Sequence, residues 1–380
     1  MASASIGLKT LADMSKPSFL ALDTEFLRER TYFPQLCLVQ VAAPTGDAIL
    51  LDPISGDDMS DLEEALFDPE VVKVFHAGRQ DLEIFVKMFG RVPAPIFDTQ
   101  IAAMALGYGE SVSYAALVAD VCRHSIDKSQ QFTDWSLRPL TAEQLAYAAD
   151  DVLYLRTVYE NFCERLASTG RLEWIREEMQ ALSDPGIYTV NPDDAWERIK
   201  IKSDKPPVLS VLKSLAAWRE RDAQRRDIPK GRIFRDETLA EIALTQPRDA
   251  RALSRVRGFP SDLAEKTLGQ NILKAVEEGL ARTKDEMPHI VRSKPFPQDL
   301  QPALEMLKML LKIQAADNGV SARLIADSDD LQKLALKGKD AGVHALHGWR
   351  NDVFGQHALA LMDGKLSLSL KNGEIVIGKN

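Results

Sequence analysis

At 380 residues the chain is too long for one ordinary core and divides into two or three domains. Its 45% apolar and 27% charged content excludes a disordered or membrane-embedded chain, and no apolar run is long enough to span a bilayer. Three scattered cysteines, Cys37, Cys122 and Cys163, exclude a disulfide scaffold and show no metal-ligand spacing. With no secretory pattern at the N-terminus, the expected compartment is the cytoplasm. The net charge of −9 is uneven: residues 198–258 hold sixteen Lys or Arg against eight Asp or Glu, so this stretch carries +8 and the remainder −17. An acidic body with one basic stretch suggests metal chemistry in one place and polyanion contact in another.

The first element is an apolar run ending in two acids, Phe19-Leu20-Ala21-Leu22-Asp23-Thr24-Glu25-Phe26. In a strand, Asp23 and Glu25 project to the same face, where their repulsion calls for a cation. Two oxygen ligands on one rigid element suit Mg²⁺ or Mn²⁺. Strands at 36–42 and 48–51 follow after short links, which predicts an antiparallel meander. The pattern then changes to helix (59–67), strand (71–75), helix (78–89), strand (96–99) and helix (100–106). Strands separated by helices call for parallel crossovers, so the sheet is mixed, with helices on its faces. In such sheets sites lie outside strand carboxyl ends, where Asp23 and Glu25 are expected.

Asp81 falls in the first turn of a helix, where the helix dipole alone could account for it. His76, in the loop before it, could cap, pack or meet substrate. A long helix over about 141–166 opens with the capping-box spacing Thr141 to Gln144. Its apolar face runs through Ala148, Val152, Leu155, Tyr159, Phe162 and Leu166. At about 100° per residue, Asp150 points away from that face into solvent, while Asp151 lies on its flank beside Tyr147. Geometry therefore selects Asp151 over Asp150.

Asp-x-Glu on a first strand, Asp heading a later helix and Tyr-x-x-x-Asp on a following helix resemble the DEDD superfamily of 3′-to-5′ exonucleases, in its tyrosine-containing branch. Leu22-Asp23-Thr24-Glu25-Phe26, His76-Ala77-Gly78-Arg79-Gln80-Asp81, Asp134-Trp135 with Arg138-Pro139-Leu140, and Tyr147-Ala148-Ala149-Asp150-Asp151-Val152 resemble the ribonuclease D family. The resemblance covers about the first half of the chain. It implies a ribonuclease-H-like α/β fold with a mixed five-stranded sheet and hydrolysis from a free 3′ end, releasing nucleoside 5′-monophosphates. It also implies two divalent cations, Mg²⁺ or Mn²⁺, held by Asp23, Glu25, Asp81 and Asp151, with Asp23 bridging both and Tyr147 orienting the attacking water. His76 and Arg138 are implied substrate contacts, and RNA with a free 3′ end, such as a tRNA precursor, is the implied partner of a monomeric enzyme.

The expected boundaries are an exonuclease domain at 1–183, a linker at 184–206, a helical domain at 207–285 and a second helical domain at 286–380. The linker is read from the breaks at 183–186 and 203–207. The first helical module resembles the HRDC domain, with basic residues placed for phosphate contact. The last segment, opened by the proline-punctuated link 293–297, looks like a diverged HRDC-type domain. It ends in two short strands around Lys371-Asn372-Gly373, a hairpin signal. Two rival readings stay open: an exonuclease acting on DNA ends, and a non-catalytic RNA-binding scaffold.

Overall fold

Every strand expected from the apolar runs forms, and the first of them carries its two acids beyond the end of a neighbour. The computed structural model describes residues 5–6, 17–290 and 295–380. The main sheet contains β1 (Ser5–Ile6), β2 (Phe19–Leu27), β3 (Gln35–Ala42), β4 (Ile49–Leu51), β5 (Val72–Phe75) and β6 (Ile96–Asp98), in the spatial order β1-β4-β3-β2-β5-β6. β2, β3 and β4 form the antiparallel meander. β5 and β6 join in parallel after crossovers through α1 (Ser60–Phe67) and α2 (Arg79–Phe89). The two-residue β1, parallel to β4, adds a sixth strand at the edge that no sequence pattern announced.

Strand alternation assigns the faces. Leu20, Leu22, Val39 and Val41 pack on Leu62 and Leu66 of α1 and on Leu82 and Phe85 of α2. Phe19, Ala21 and Ala42 turn the other way, under α3 (Thr99–Ala105), α4 (Tyr114–Val121) and α5 (Ala142–Ser168). The Thr141–Gln144 capping box starts α5, and Ala148, Val152, Leu155, Phe162 and Leu166 are buried along it. Each large apolar side chain so buried contributes about 1.5–3 kcal/mol. β2 pairs with β5 only over Phe19–Ala21 but stays on β3 as far as Leu27. Beyond Ala21 its β5-side edge is open, and Asp23 and Glu25 sit there.

After α5 the chain passes through α6 (Arg176–Ala181) into a 3₁₀ turn at Pro192–Arg198. That turn buries Ala195 and Trp196 in a second core, with α7 (Pro206–Arg226), α8 (Lys230–Ile233), α9 (Asp236–Thr245), α10 (Ala250–Leu253) and α11 (Thr267–Ala281). The expected linker is thus only partly a linker, because the indole of Trp196 belongs to the helical module. Gly279 lets α11 touch α7: a Cβ there would meet the Val211 Cα at 2.6 Å. Asp227 ties the module to the α/β domain by accepting from the Tyr32 and Phe33 amides at 3.1 and 3.0 Å.

The last helices, beginning with α12 (Gln301–Asp317), do not close on a core of their own. Leu304, Leu307, Leu310, Leu324 and Ile325 share one cluster with Phe97, Leu153 and Leu155. Trp349 stacks on Trp174 at 4.2 Å between ring centroids. Arg350 pairs with Glu177 and Glu178, and Arg171 donates to the carbonyls of Ala105, Asn318 and Gly319. The expected separate domain at 286–380 is therefore a helical lobe fused to the α/β domain. Part of the link at 293–297 lies outside the described residues. The chain ends in the hairpin β7 (Leu366–Lys371) and β8 (Glu374–Lys379), turned by Asn372 and Gly373 at φ of 51° and 86°.

Candidate metal centre

Asp23 and Glu25 share the α5 face of β2, and Asp151 comes down from α5 to meet them. One carboxylate oxygen from each of the three lies within 4.8 Å of the others. Asp81 lies outside that trio, at the open edge of β2, where the Thr24 hydroxyl donates to its carboxylate. Thr24 stands between the two acids in sequence and faces the α2 side, so one strand holds the fourth acid from its opposite face. The turn before Asp81 is tightly specified. Ala77 has φ of 56°, and a Cβ on Gly78 would meet the Phe75 Cβ at 2.4 Å. The Asp98 carboxylate accepts from the amides of Ala77, Gly78, Gln100 and Ile101.

Burial disturbs all four acids. Burial raises the Asp23 carboxyl well above its usual range, and the charges of Asp81, Asp151 and Glu25 add to this. Glu25 is pushed up to about 9 by burial, then by Asp151 and Asp81. Burial takes Asp151 to about 7 and Asp81 to about 6, against hydrogen bonds from Tyr147 and Thr24 that favour ionisation. Asp81 and Asp151 are buried and Asp23 and Glu25 half-buried, and carboxylates so withdrawn from water and crowded together are suited to hard divalent cations. The donor set fits the group expected.

Tyr147, one turn before Asp151, donates its hydroxyl to that acid and rests 6.0 Å from the Trp135 ring. Burial raises its phenol above the ordinary range, with Asp151, Glu25 and Asp23 adding, so it keeps its proton. Asp150 is half-buried on the flank near His124, not in open solvent as the helical phase suggested.

The two expected substrate contacts fare differently. His76 is held inside, with Nδ1 3.0 Å from the Thr99 hydroxyl and a further bond to the Val112 carbonyl. Arg138 requires a correction. Its guanidinium forms a bidentate pair with Asp52 at 2.5 and 2.6 Å and donates to the carbonyls of Cys37, Trp135 and Leu137. It anchors the segment before α5 and leaves no donor for substrate. Sequence reasoning missed Tyr114, which donates to the Asp151 carbonyl at 2.6 Å and whose phenol is raised by burial, then by Asp151 and Asp23. It also missed Asp98, although an acid at a strand's carboxyl end was the available signal.

A sheet whose longest strand offers Asp-x-Glu to a helix bearing Tyr-x-x-x-Asp defines a divalent-metal-dependent 3′-to-5′ exonuclease. A 3′-5′ exonuclease family model matches residues 4–167, and an HRDC domain model matches residues 208–276. The chain belongs to the ribonuclease D family and is a 3′-to-5′ exoribonuclease. It is 45% identical to ribonuclease D of Gluconacetobacter diazotrophicus, over 94% of this chain and 91% of that one. With ribonuclease D of Sphingobium indicum it shares 44% over 97% and 96%. The crystal structure of Escherichia coli RNase D, described as an exoribonuclease involved in structured RNA processing, superposes with a TM-score of 0.77 at 30% identity, covering 92% of this chain and 94% of that one.

Proposed function

We propose that this exoribonuclease trims the 3′ ends of structured RNA, tRNA precursors among them, by a two-metal hydrolysis releasing nucleoside 5′-monophosphates. The observation that carries this reading is the convergence of Asp23, Glu25 and Asp151 with Asp81 alongside. Among the described residues no Lys or Arg pairs with any of the four. Their formal charge of about −4 is balanced by two divalent ions. When bound, Mg²⁺ or Mn²⁺ acidifies a water and offsets charge on the leaving 3′ oxygen.

The protein's own part is to hold and to orient. Asp23, Glu25, Asp81 and Asp151 supply the oxygens. The one proton of Tyr147 goes to Asp151, which leaves the phenolic oxygen to accept from the attacking water and set its direction. Exposed arginines on the helical module, Arg232, Arg235, Arg251 and Arg257, give phosphate contacts that guide the 3′ tail inward. The enzyme works as a monomer in the cytoplasm, and among the described residues no helix is long and apolar enough to cross a membrane.

The test is mononucleotide release from a hairpin RNA with a 3′ tail, in Mg²⁺ or Mn²⁺, by wild type and by Asp23→Asn, Asp81→Asn and Tyr147→Phe proteins. The Asn proteins are expected to be inactive and Tyr147→Phe strongly slowed. A matched DNA end tests how far the 2′-hydroxyl is demanded. Wild-type rates in a clean Asp23→Asn protein would remove the assignment.

A further inference from the structure

Gln40 is a carboxamide buried within the sheet. Its residue exposure is 0%, and neither the amide nitrogen nor the amide oxygen has a hydrogen-bond partner among the described residues. Leaving buried polar groups unmet is costly, so this carboxamide calls for a hydrogen-bond partner close by.

The sheet register says where to look. Gln40 on β3 lies directly across from Asp23 on β2, and across from Leu50 on β4. Directly opposed residues of an antiparallel pair put their side chains on one face, about 4.5–5.5 Å apart at Cβ. The flanking pair Leu22–Val41 faces α1 and α2, so Asp23 and Gln40 both face α5. Along β3 the neighbours on that face are Leu38 and Ala42, both buried and apolar. On β2 the polar residues of that face are Asp23, directly opposite the carboxamide, and Glu25, one diagonal step further along; Asp23 is the nearer of the two. An ionised Asp23 is an acceptor that matches the amide's donors.

We propose that Gln40 is a positioning residue of the metal centre, donating an amide N–H to the ionised Asp23 carboxylate and fixing the orientation in which that carboxylate binds a divalent cation. The proposal rests on Asp23 being a ligand. Hydrogen bonds of this kind to ligating carboxylates are worth about 10–100-fold in metal affinity.

The experiment measures Mn²⁺ affinity by calorimetry, with no RNA present, for wild type, Asp23→Asn, Gln40→Leu, the near-isosteric Gln40→Met, and Asp23→Asn combined with Gln40→Leu. Melting of each metal-free protein is recorded alongside. Both Gln40 variants are expected to bind Mn²⁺ about 10–100-fold more weakly. They are expected to melt, metal-free, no lower than wild type, because an unmet amide has been removed. In the double variant the Gln40 change is expected to add nothing. Mn²⁺ binding unchanged in Asp23→Asn overturns the ligand assignment itself. Weak binding in Asp23→Asn with wild-type binding in both Gln40 variants overturns only the role of Gln40. Collapse of the metal-free fold in both Gln40 variants overturns it too, since the amide would then be paired before metal arrives.

Discussion

The carboxylate of Asp98 accepts hydrogen bonds from the amides of Ala77 and Gly78, at 3.1 and 2.9 Å, and so fixes the turn from which Asp81 rises. The same group caps α3 through Gln100 and Ile101. One side chain thereby couples the ends of two parallel strands to the position of Asp81, the acid beside the Asp23–Glu25–Asp151 cluster. Asp98→Ala leaves four amides without it, at a cost of about 2–4 kcal/mol. Denaturant melts are expected to show that loss, and Mg²⁺ titrations of activity to show a raised requirement. Asp98→Asn keeps one good acceptor and is expected to fall between. An Asp98→Ala protein as stable as wild type would mean the turn holds itself.

Crowding acids into one pocket has a stability consequence. Glu25 titrates at about 9 when folded and metal-free, against an ordinary 4.5. Between those values the native protein holds more protons than the unfolded chain, so its stability falls as pH rises through that window. Glu25→Gln is expected to flatten this decline and to raise the melting temperature of the metal-free protein at pH 8, while abolishing hydrolysis. Saturating Mg²⁺ is expected to erase the wild-type decline, because the cation takes the place of the protons. Melting temperatures across pH 5–9, with and without Mg²⁺, check both statements; a wild-type profile without slope contradicts them.

Arg138 and Asp52 give the opposite sign. Burial would raise the Asp52 carboxyl, but the bonds from Arg138 and Ser55 hold it below its usual value. The pair's stabilisation is present at neutral pH and fades as pH falls through the lowered value. Arg138→Ala removes the ion partner of Asp52, which keeps its bonds from Ser55, and leaves three carbonyls unmet; the expected cost is about 3 kcal/mol, the low end of the range for a broken buried pair. At temperatures where the variant remains folded, its KM for RNA is expected to match wild type. A raised KM at full stability would return Arg138 to the substrate.

What could be read from the chain alone followed from periodicity. Alternation along β2 put Asp23 and Glu25 on one face, and the phase of α5 chose Asp151 over its neighbour. Asn372-Gly373 announced a hairpin because a type I′ turn is a local demand. Legibility ended where a residue's meaning depends on a distant partner. Nothing near Arg138 points to Asp52, 86 positions away. Gln40 reads as one polar residue in a strand until the register sets it against Asp23. The final helices show which of their faces are apolar, not that these faces join the core of the α/β domain. Trp196 sits among linker-like prolines and aspartates, yet its ring is core.

The basic stretch also looks different once its partners are known. Arg219 is buried and bonded to Asp236 and the Phe234 carbonyl, Arg221 pairs with Asp193, and Arg225 and Arg226 both pair with Asp222. Those cations are largely neutralised within the domain. Arg232, Arg235 and Arg257 are exposed and form no ion pair among the described residues; Arg235 and Arg257 line one groove of about 620 Å³. If phosphate contact is the module's role, these three carry more of it than Arg225 and Arg226. Replacing all three by Glu is expected to weaken binding of a tailed hairpin RNA and make its salt dependence shallower. The slope falls by about 0.7–0.9 for each phosphate that is no longer neutralised. Arg225→Glu with Arg226→Glu is expected to change the slope less. Hydrolysis of a trinucleotide too short to reach the module is expected to be unaffected by either set. Equal salt slopes for wild type and the triple variant would leave the module a buttress for the nuclease and nothing more.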